Sequence, residues 1–578
     1  MSFRQKMTRP AHRIKRTALV VAALTAAACA PSEGPTSSAV AAGPVPSAPH
    51  AVDRSDGFAV REAERVFSYA FDAITDRYID GVTARGVAVE GLRGLGSIDP
   101  AVAVEVEGGR AEIRTPAGLL ASVAAPADDD ARGWARAVTE LIAGARGTSP
   151  QLAAAGREDI YEAVFDATLA KLDMFSRYAG AEEARDHRAS RNGFGGIGIR
   201  YVKNEDGLLV KDVFEDAPSD GLLFVDDVIV GVAGTPTVDL ETKQIKDLLR
   251  GPIDSSVTLS VKRTGIDQPV QVPIRRALVV PRTVTLTLDH DVAVIKISSF
   301  NQRTASGVDT AVRQARAGLG ASLRGIVLDL RGNPGGLLDQ AVAVSDLFLT
   351  DGPIVSTRGR HPESRQAYAA REDDVAAGLP VVVLVDGRSA SSAEIVTAAL
   401  QDRGRAVVVG TTSYGKGTVQ TVVRLPNDGE LTLTWSRFHS PSGYALHGLG
   451  VMPALCTATA DSAPQVAEAP GTAHEDDDAV VPVTHSDVPA AGEDAGRTVE
   501  KLIASRAAAA GSVPTQYAQW RSTPIEDTEG RKRLRTACPP VNHADSTVDL
   551  AVGERLIEDR GLYSWALGLT HGADTAAR

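Results

Sequence analysis

Val383 to Gln420 reads VLVDGRSASSAEIVTAALQDRGRAVVVGTTSYGKGTVQ. Its apolar opening reads as a buried strand, AEIVTAALQD as a helix, and AVVVG as a second strand. A strand, a helix and a strand in that order make parallel neighbours, so the turns leaving the two strands meet at one sheet edge, where α/β proteins bind their ligands. The first turn carries Ser389, Ser391 and Ser392; the second carries Lys416 between Gly415 and Gly417. A helix cap accounts for one serine but not for three. A serine lacks useful nucleophilicity without a base, and an amine becomes a base only when burial lowers its pKa. His361, His439 and His447 lie in polar or turn-rich stretches without an accompanying acid motif, so Lys416 is the candidate base; read alone, the segment also fits a helix cap with small packing residues.

Working outward, VAVIKISSF and GIVLDL repeat the short Val/Ile-rich pattern, and GVDTAVRQARAGL and GLLDQAVAVSDLFL repeat the helical one. Residues 281–456 are therefore expected to form an α/β core with buried strands. Within it, LDLRGNPGGLL places Asn333-Pro334-Gly335-Gly336 directly after a strand. That sequence turns sharply and exposes main-chain N–H groups that can bind a developing negative charge. Residues 193–278 differ, with several short strands and one helix, ETKQIKDLLRG. Their opening GFGGIGI precedes a strand rather than a helix, so it is not a phosphate-binding loop. Its N–H groups, at Gly195, Gly196, Ile197, Gly198 and Ile199, can hold a peptide's terminal carboxylate while the next strand pairs with the peptide, or the loop is a turn that serves packing alone.

The ordered set GFGGIGI, LRGNPGGLL, SASSAEI and TTSYGKGTVQ closely resembles the bacterial carboxyl-terminal processing proteases, serine peptidases with an inserted PDZ domain. The resemblance runs from about Asp173 to Pro453 and implies a multidomain α/β protein. It has a crotonase-like protease core, an inserted PDZ-like β domain and a helical amino-terminal region. In that family the nucleophile precedes the base lysine by twenty-five residues, which selects Ser391 against Lys416. The resemblance further implies that Gln420 orients the amine and that the main-chain N–H groups of Gly335 and Ser392 form the oxyanion site. It also implies that Leu248 and Leu249 line the pocket for a substrate's last apolar side chain. No cofactor or metal is implied. The expected activity is endoproteolysis of exported proteins near their carboxyl ends. Two departures stand out: LDMFSRY replaces the usual Leu-Asp-Pro-His-Ser-X-Tyr, and Ala454 replaces an acid.

The amino terminus has six basic residues before Ala18 and an apolar run from Ala18 to Ala28, too short to span a bilayer, so it reads as an export leader over residues 1–29. Cys29 then either carries lipid, tethering the protein to a membrane, or is lost with the leader. Residues 30–57, rich in Pro, Ser and Ala, are a linker. The expected location is the bacterial envelope or periplasm. With Cys29 set aside, Cys456 and Cys538 remain as one disulfide in an oxidising compartment. Residues 58–190 read as mostly helical with a hairpin at Gly108-Gly109, 457–497 as a disordered acidic linker, and 498–578 as a helical extension that docks on the core. A net charge of −12 with no basic stripe beyond the leader argues against nucleic acid. Protein or peptide substrates with apolar carboxyl ends are the expected partners, with an adaptor protein or a homo-oligomer also open. Two rival readings are a catalytically silent peptide-binding scaffold and a crotonase-like acyl-CoA enzyme; the leader and the inserted domain disfavour the second.

Overall fold

The computed structural model describes residues 58–371, 373–458, 493–544 and 546–570. The leader, Cys29, the 30–57 linker and most of the 457–497 linker lie outside the described residues.

The amino-terminal region contains α1 (Val60–Arg77), α2 (Ala84–Arg93), β1 (Ala103–Glu107), β2 (Arg110–Thr115), β3 (Gly118–Ala124), α3 (Ala131–Arg146), α4 (Pro150–Ala154) and α5 (Arg157–Ala170). The hairpin falls at Gly108-Gly109, whose φ angles of 57° and 74° suit the tight turn that glycine permits. A third strand, β3, joins it, which the sequence pattern does not announce. This region has no closed core of its own, since its helices share buried contacts with Leu431 and Leu433 of a strand described below.

After β4 (Arg177–Ala179) and α6 (Ala181–Asn192) comes a small antiparallel module: β5 (Phe194–Gly196), β6 (Ile199–Asn204), β7 (Gly207–Val213), β8 (Val228–Val232), β9 (Thr235–Pro236), α7 (Thr242–Leu249), β10 (Ser256–Lys262), β11 (Val270–Arg275) and β12 (Ala277–Val279). Its first strand, β5, pairs with its last, β12, forming a two-stranded neck. The rest encloses a separate apolar cluster around Ile229, Ile245 and Leu259. Helix α7 turns Ile245 and Leu249, one turn apart, into that cluster. Leu249, at 5 % exposure, packs into the module's core, and Leu248 is partly buried beside it.

The central unit runs through β13 (Val284–Asp289), β14 (Val292–Ile297), α8 (Thr304–Leu319), β15 (Gly325–Asp329), α9 (Leu338–Asp346), β16 (Pro353–Arg358), β17 (Gln366–Ala369), β18 (Val381–Val385), α10 (Ser392–Asp402), β19 (Val407–Gly410), β20 (Thr418–Arg424), β21 (Glu430–His439) and β22 (Leu455–Cys456). One sheet has the order β13-β14-β15-β18-β19-β22, parallel from β14 onward. Strands β15, β18 and β19 are buried on both faces, which is why they read as unbroken apolar runs. A second sheet holds β17-β16-β21-β20, and β4 pairs with β21. The extension, α11 (Glu493–Ala508), α12 (Val513–Ser522), α13 (Thr528–Arg535), α14 (Thr547–Glu558) and α15 (Arg560–Gly568), packs into the same core. Ile557 of α14 lies so close over β15 that a Cβ on Gly325 would meet its Cγ2 at 2.6 Å. Cys456 and Cys538 are bonded, with Sγ atoms 2.05 Å apart.

Candidate active site

The parallel strands β15, β18 and β19 end side by side, and the turns leaving them hold the three motifs. Between β18 and α10 the three serines separate by role. Ser389 is fully buried; its hydroxyl donates to the Leu330 carbonyl at 2.8 Å and accepts from the Asp386 N–H at 2.9 Å. The Ser392 hydroxyl donates to the Gly336 carbonyl at 2.9 Å. Both serines brace neighbouring turns. Ser391 has no such carbonyl tie, and it holds a backbone conformation of φ 53° and ψ −112° at the start of α10. A non-glycine residue there costs on the order of 1–3 kcal/mol and persists only when its surroundings enforce it. A strained strand-to-helix turn of this kind lifts a side chain out of the sheet edge, the geometry of a nucleophile elbow.

What enforces it is Glu394, which is completely buried. Its Oε2 accepts from the Ser391 N–H at 2.8 Å and from the Lys416 N–H at 2.9 Å; its Oε1 accepts from the Ser413 hydroxyl at 2.5 Å and the Gly415 N–H at 2.7 Å. A single oxygen atom thus joins the backbones of Ser391 and Lys416. Burial pushes this carboxyl up, while the donated hydrogen bonds pull it down. Three of its four partners are main-chain N–H groups, which can only donate, and the fourth is a hydroxyl.

The Lys416 ammonium lies 5.1 Å from the centre of the Phe175 ring. Its pKa is lowered to about 8, first by burial and then by the positive charge of Arg177; Glu394 and Asp173 act in the opposite direction. Phe175 arrives through the departing LDMFSRY segment. Asp173 accepts from the N–H groups of Phe175 at 2.7 Å and Ser176 at 2.8 Å, folding a turn that presents the ring to the lysine. His447, which no sequence pattern places nearby, packs edge-on against the same ring with 6.2 Å between ring centres. Burial lowers the pKa of this histidine, and its Nδ1 is without a partner.

Gly335 packs directly on the elbow. A Cβ there would meet Ser391 Cβ at 2.7 Å and Ser392 N at 3.1 Å, so only glycine, at φ 105°, fits. Its N–H donates to Asn333 Oδ1 at 2.8 Å rather than facing an open site. The Ser392 N–H opens α10, where a helix has no intrahelical acceptor to offer. Gln420 is not joined to Lys416; its side-chain amide donates to Thr418 Oγ1 at 2.9 Å and Thr434 Oγ1 at 3.4 Å, because β20 aims it across the sheet at β21. In the module, the carbonyls of Ile197 and Gly198 accept from Ser219 N and Phe214 N, both at 3.0 Å. A Cβ on Gly195 or Gly198 would strike Gly251 O or Ala217 Cβ. These glycines therefore serve close packing, whatever else their N–H groups do. Among the described residues no cluster of His, Cys, Asp and Glu side chains could hold a metal ion.

No reading of the sequence motifs marks Glu394, Phe175, Arg177 or Arg535 as functional. Glu394 carries the one available signal, an acidic residue three positions after the elbow serine at the start of a helix.

A sequence model of peptidase family S41 matches residues 291–455. The chain is 37 % identical over 300 residues to the carboxy-terminal-processing protease of Bartonella bacilliformis, an alignment covering 51 % of this chain and 69 % of that one. It is 29 % identical over 307 residues to the carboxy-terminal processing protease CtpB of Bacillus subtilis, covering 52 % and 63 %. Among solved structures, the photosystem II D1 C-terminal processing protease aligns over 68 % of this chain and 92 % of its own, at 22 % identity and a TM-score of 0.35. The chain belongs to peptidase family S41, among the carboxy-terminal processing serine proteases.

Proposed function

We propose that the protein is an endopeptidase in which Ser391 is the nucleophile and Lys416 its general base, acting on exported proteins near their carboxyl ends. The observation that carries the dyad is the shared carboxylate, with Glu394 Oε2 accepting from the N–H groups of both residues. As the Ser391 Oγ attacks the scissile carbonyl, neutral Lys416 takes the hydroxyl proton. The oxyanion is met by the Ser392 N–H and by the Gly335 N–H once Asn333 Oδ1 yields it. Lys416 then passes its proton to the leaving amine, and water, deprotonated by the same lysine, releases the acyl group. Loss of one oxyanion donor typically costs about 10²–10³ in rate. Gln420 would join the lysine only by turning away from its threonines.

The module at 193–278 is proposed as a PDZ-like reader of carboxyl ends, with β6 as the edge strand for a bound peptide and the loop before it as the carboxylate cradle. Two features support this reading: the module's core is its own, and β6 ends the sheet order β11-β10-β8-β7-β6. Export is proposed from the basic and apolar leader and is consistent with the Cys456–Cys538 bond, which persists in oxidising compartments. The experiment is cleavage of one unfolded protein by wild type, Ser391→Ala and Lys416→Ala, reading the newly formed carboxyl termini by mass spectrometry. Both variants are expected to be inactive while peptide binding persists; full cleavage by purified Lys416→Ala removes the lysine from the mechanism. Amidating the substrate's end should slow wild type, and equal rates would leave the loop as a packing turn.

A further inference from the structure

The carboxyl-terminal extension touches every turn that builds the site. At the turn after β15, the Arg331 guanidinium donates to the Ser546 carbonyl at 2.5 Å and pairs with Asp549 at 3.4 Å. At the turn after β18, the Gly387 N–H donates to the Val541 carbonyl at 2.8 Å, and the His543 N–H donates to Asp386 Oδ2 at 3.1 Å. At the turn after β19, the hydroxyls of Thr411 and Thr412 donate to the carbonyls of Val541 and Cys538. Residues 535–544 and 546–549 thus cross the ends of the three strands whose turns hold Gly335, Ser391 and Lys416.

One contact in this set differs in kind. The largely buried guanidinium of Arg535, at the end of α13, donates to the carbonyls of Tyr414 at 2.9 Å and Ser413 at 3.0 Å. The peptide unit that carries the Tyr414 carbonyl also carries the Gly415 N–H, which donates to Glu394. The unit that carries the Ser413 carbonyl also carries the Tyr414 N–H, which donates to the Ser389 carbonyl at 2.9 Å. Both peptide planes leading into Lys416 are therefore pinned at both ends, by Arg535 on one side and by the nucleophile's own turn on the other. Burial disfavours the Arg535 charge, and the nearby Glu394 carboxylate supports it. Three residues on, Cys538 is bonded to Cys456, whose strand pairs with β19 at Gly410, the root of the same turn.

We propose that Arg535 is a positioning residue of the proteolytic site: its guanidinium fixes the two peptide units that set Lys416 beside Ser391, and the Cys456–Cys538 bond keeps it in place. The extension is then part of the enzyme's working site rather than an appendage. Arg is suited to the task because its planar fork reaches two carbonyls at once, which a lysine ammonium on the same stem does less well.

This inference rests on the Ser391/Lys416 reading, so the experiment begins with the full chain and Ser391→Ala: cleavage by the first and none by the second establishes that reading independently of Arg535. Arg535→Ala should then lower kcat by about tenfold or more with KM within about twofold, since a small misplacement of a catalytic group is costly in rate. Its alkaline-rising pH–rate limb should move to higher pH, because a loosened turn lets water reach the Lys416 ammonium and leaves the Glu394 charge uncompensated. Arg535→Lys should recover part of the loss, and Arg533→Ala, an exposed arginine on the same helix, should match wild type. If Arg535→Ala keeps the wild-type kcat and pH limb, or if Arg533→Ala falls equally, the positioning role is wrong. Should Arg535→Ala fail to fold, Arg535→Lys decides: an unchanged kcat overturns the proposal, and a drop of about threefold or more supports it. Reduction of the disulfide in wild type should lower kcat reversibly, and an unchanged kcat overturns the role given to that bond.

Discussion

The extension at 493–570 and the module at 193–278 are held to the catalytic unit by different forces. The extension is remote in sequence yet shares one apolar core with the central sheet, where Trp520, Leu556 and Ile557 are buried alongside Val382 and Val408. Its polar contacts are largely buried or partly buried hydrogen bonds to main chain. The module lies within the chain yet owns a separate core, and it is joined through the β5–β12 neck and ion pairs along α6. Asp186 meets Arg250 at 2.8 Å and Lys246 at 3.7 Å, and Glu182 meets Lys243, all on partly or largely exposed side chains. Arg188 and Arg191 at the other end of α6 grip Glu430 of β21 at 2.9 and 2.7 Å. Position in the sequence is thus a poor guide to which segment shares the central core. The apolar core and the buried hydrogen bonds decide it.

The contrast breaks most sharply at Glu394. Glu394→Gln keeps the shape but replaces two of four acceptor positions with donors that face N–H or O–H groups, so the elbow and the lysine turn should separate and kcat should fall by about a hundredfold. Steady-state kinetics beside a thermal melt checks this; a kcat within about threefold of wild type would show that the shared carboxylate is dispensable. A second, intermediate effect is the pH dependence. As the proposed base, Lys416 acts neutral; its pKa is lowered to about 8, so activity should rise with pH through about 8, where an ordinary lysine would require a pH above about 10. Arg177→Gln removes a positive charge that lowers that pKa, so the limb should move to higher pH. A shift to lower pH would contradict the sign. The smallest effect belongs to the module. Exposed ion pairs contribute roughly 0–1 kcal/mol each and are screened by salt. Asp186→Asn should therefore leave kcat on a short peptide unchanged and alter KM for a long protein substrate by no more than about fivefold, with the difference vanishing at high salt. A loss of kcat on the short peptide would mean that α6 sets the chemistry as well.

Much of the frame was legible because parallel strands buried on both faces are unbroken apolar runs: GIVLDL, VVVLVDG and AVVVG are β15, β18 and β19. The hairpin turn announced itself through paired glycines, and the disulfide through the scarcity of cysteines. Strand β3 escaped because GLLASVA lacks the alternation of a half-buried strand, in keeping with its mostly intermediate burial. The distant residues that pack on the Lys416 turn escaped for another reason. Phe175 lies more than two hundred residues upstream and Arg535 more than a hundred downstream, so no local pattern links them to it. Leu249 packs into the module's core because a short amphipathic helix has a single apolar face, and that core occupies it. The family resemblance points Gln420 at the lysine, whereas pairing between β20 and β21 directs its side chain to Thr418 and Thr434.

The φ of 53° at Ser391 has a consequence for how far selection can improve this fold. That conformation suits glycine, which adopts it without a Cβ penalty. At this one position the thermodynamically preferred residue and the proposed nucleophile are different, and the chain carries the serine. Ser391→Gly should accordingly melt at a higher temperature than Ser391→Ala, though both lack the hydroxyl, and calorimetry of the pair reads the local strain directly; equal melting temperatures would mean that the turn is relaxed. Stability and turnover compete at a single dihedral angle, so variants selected only for heat resistance would be expected to drift toward a well-folded, silent protein.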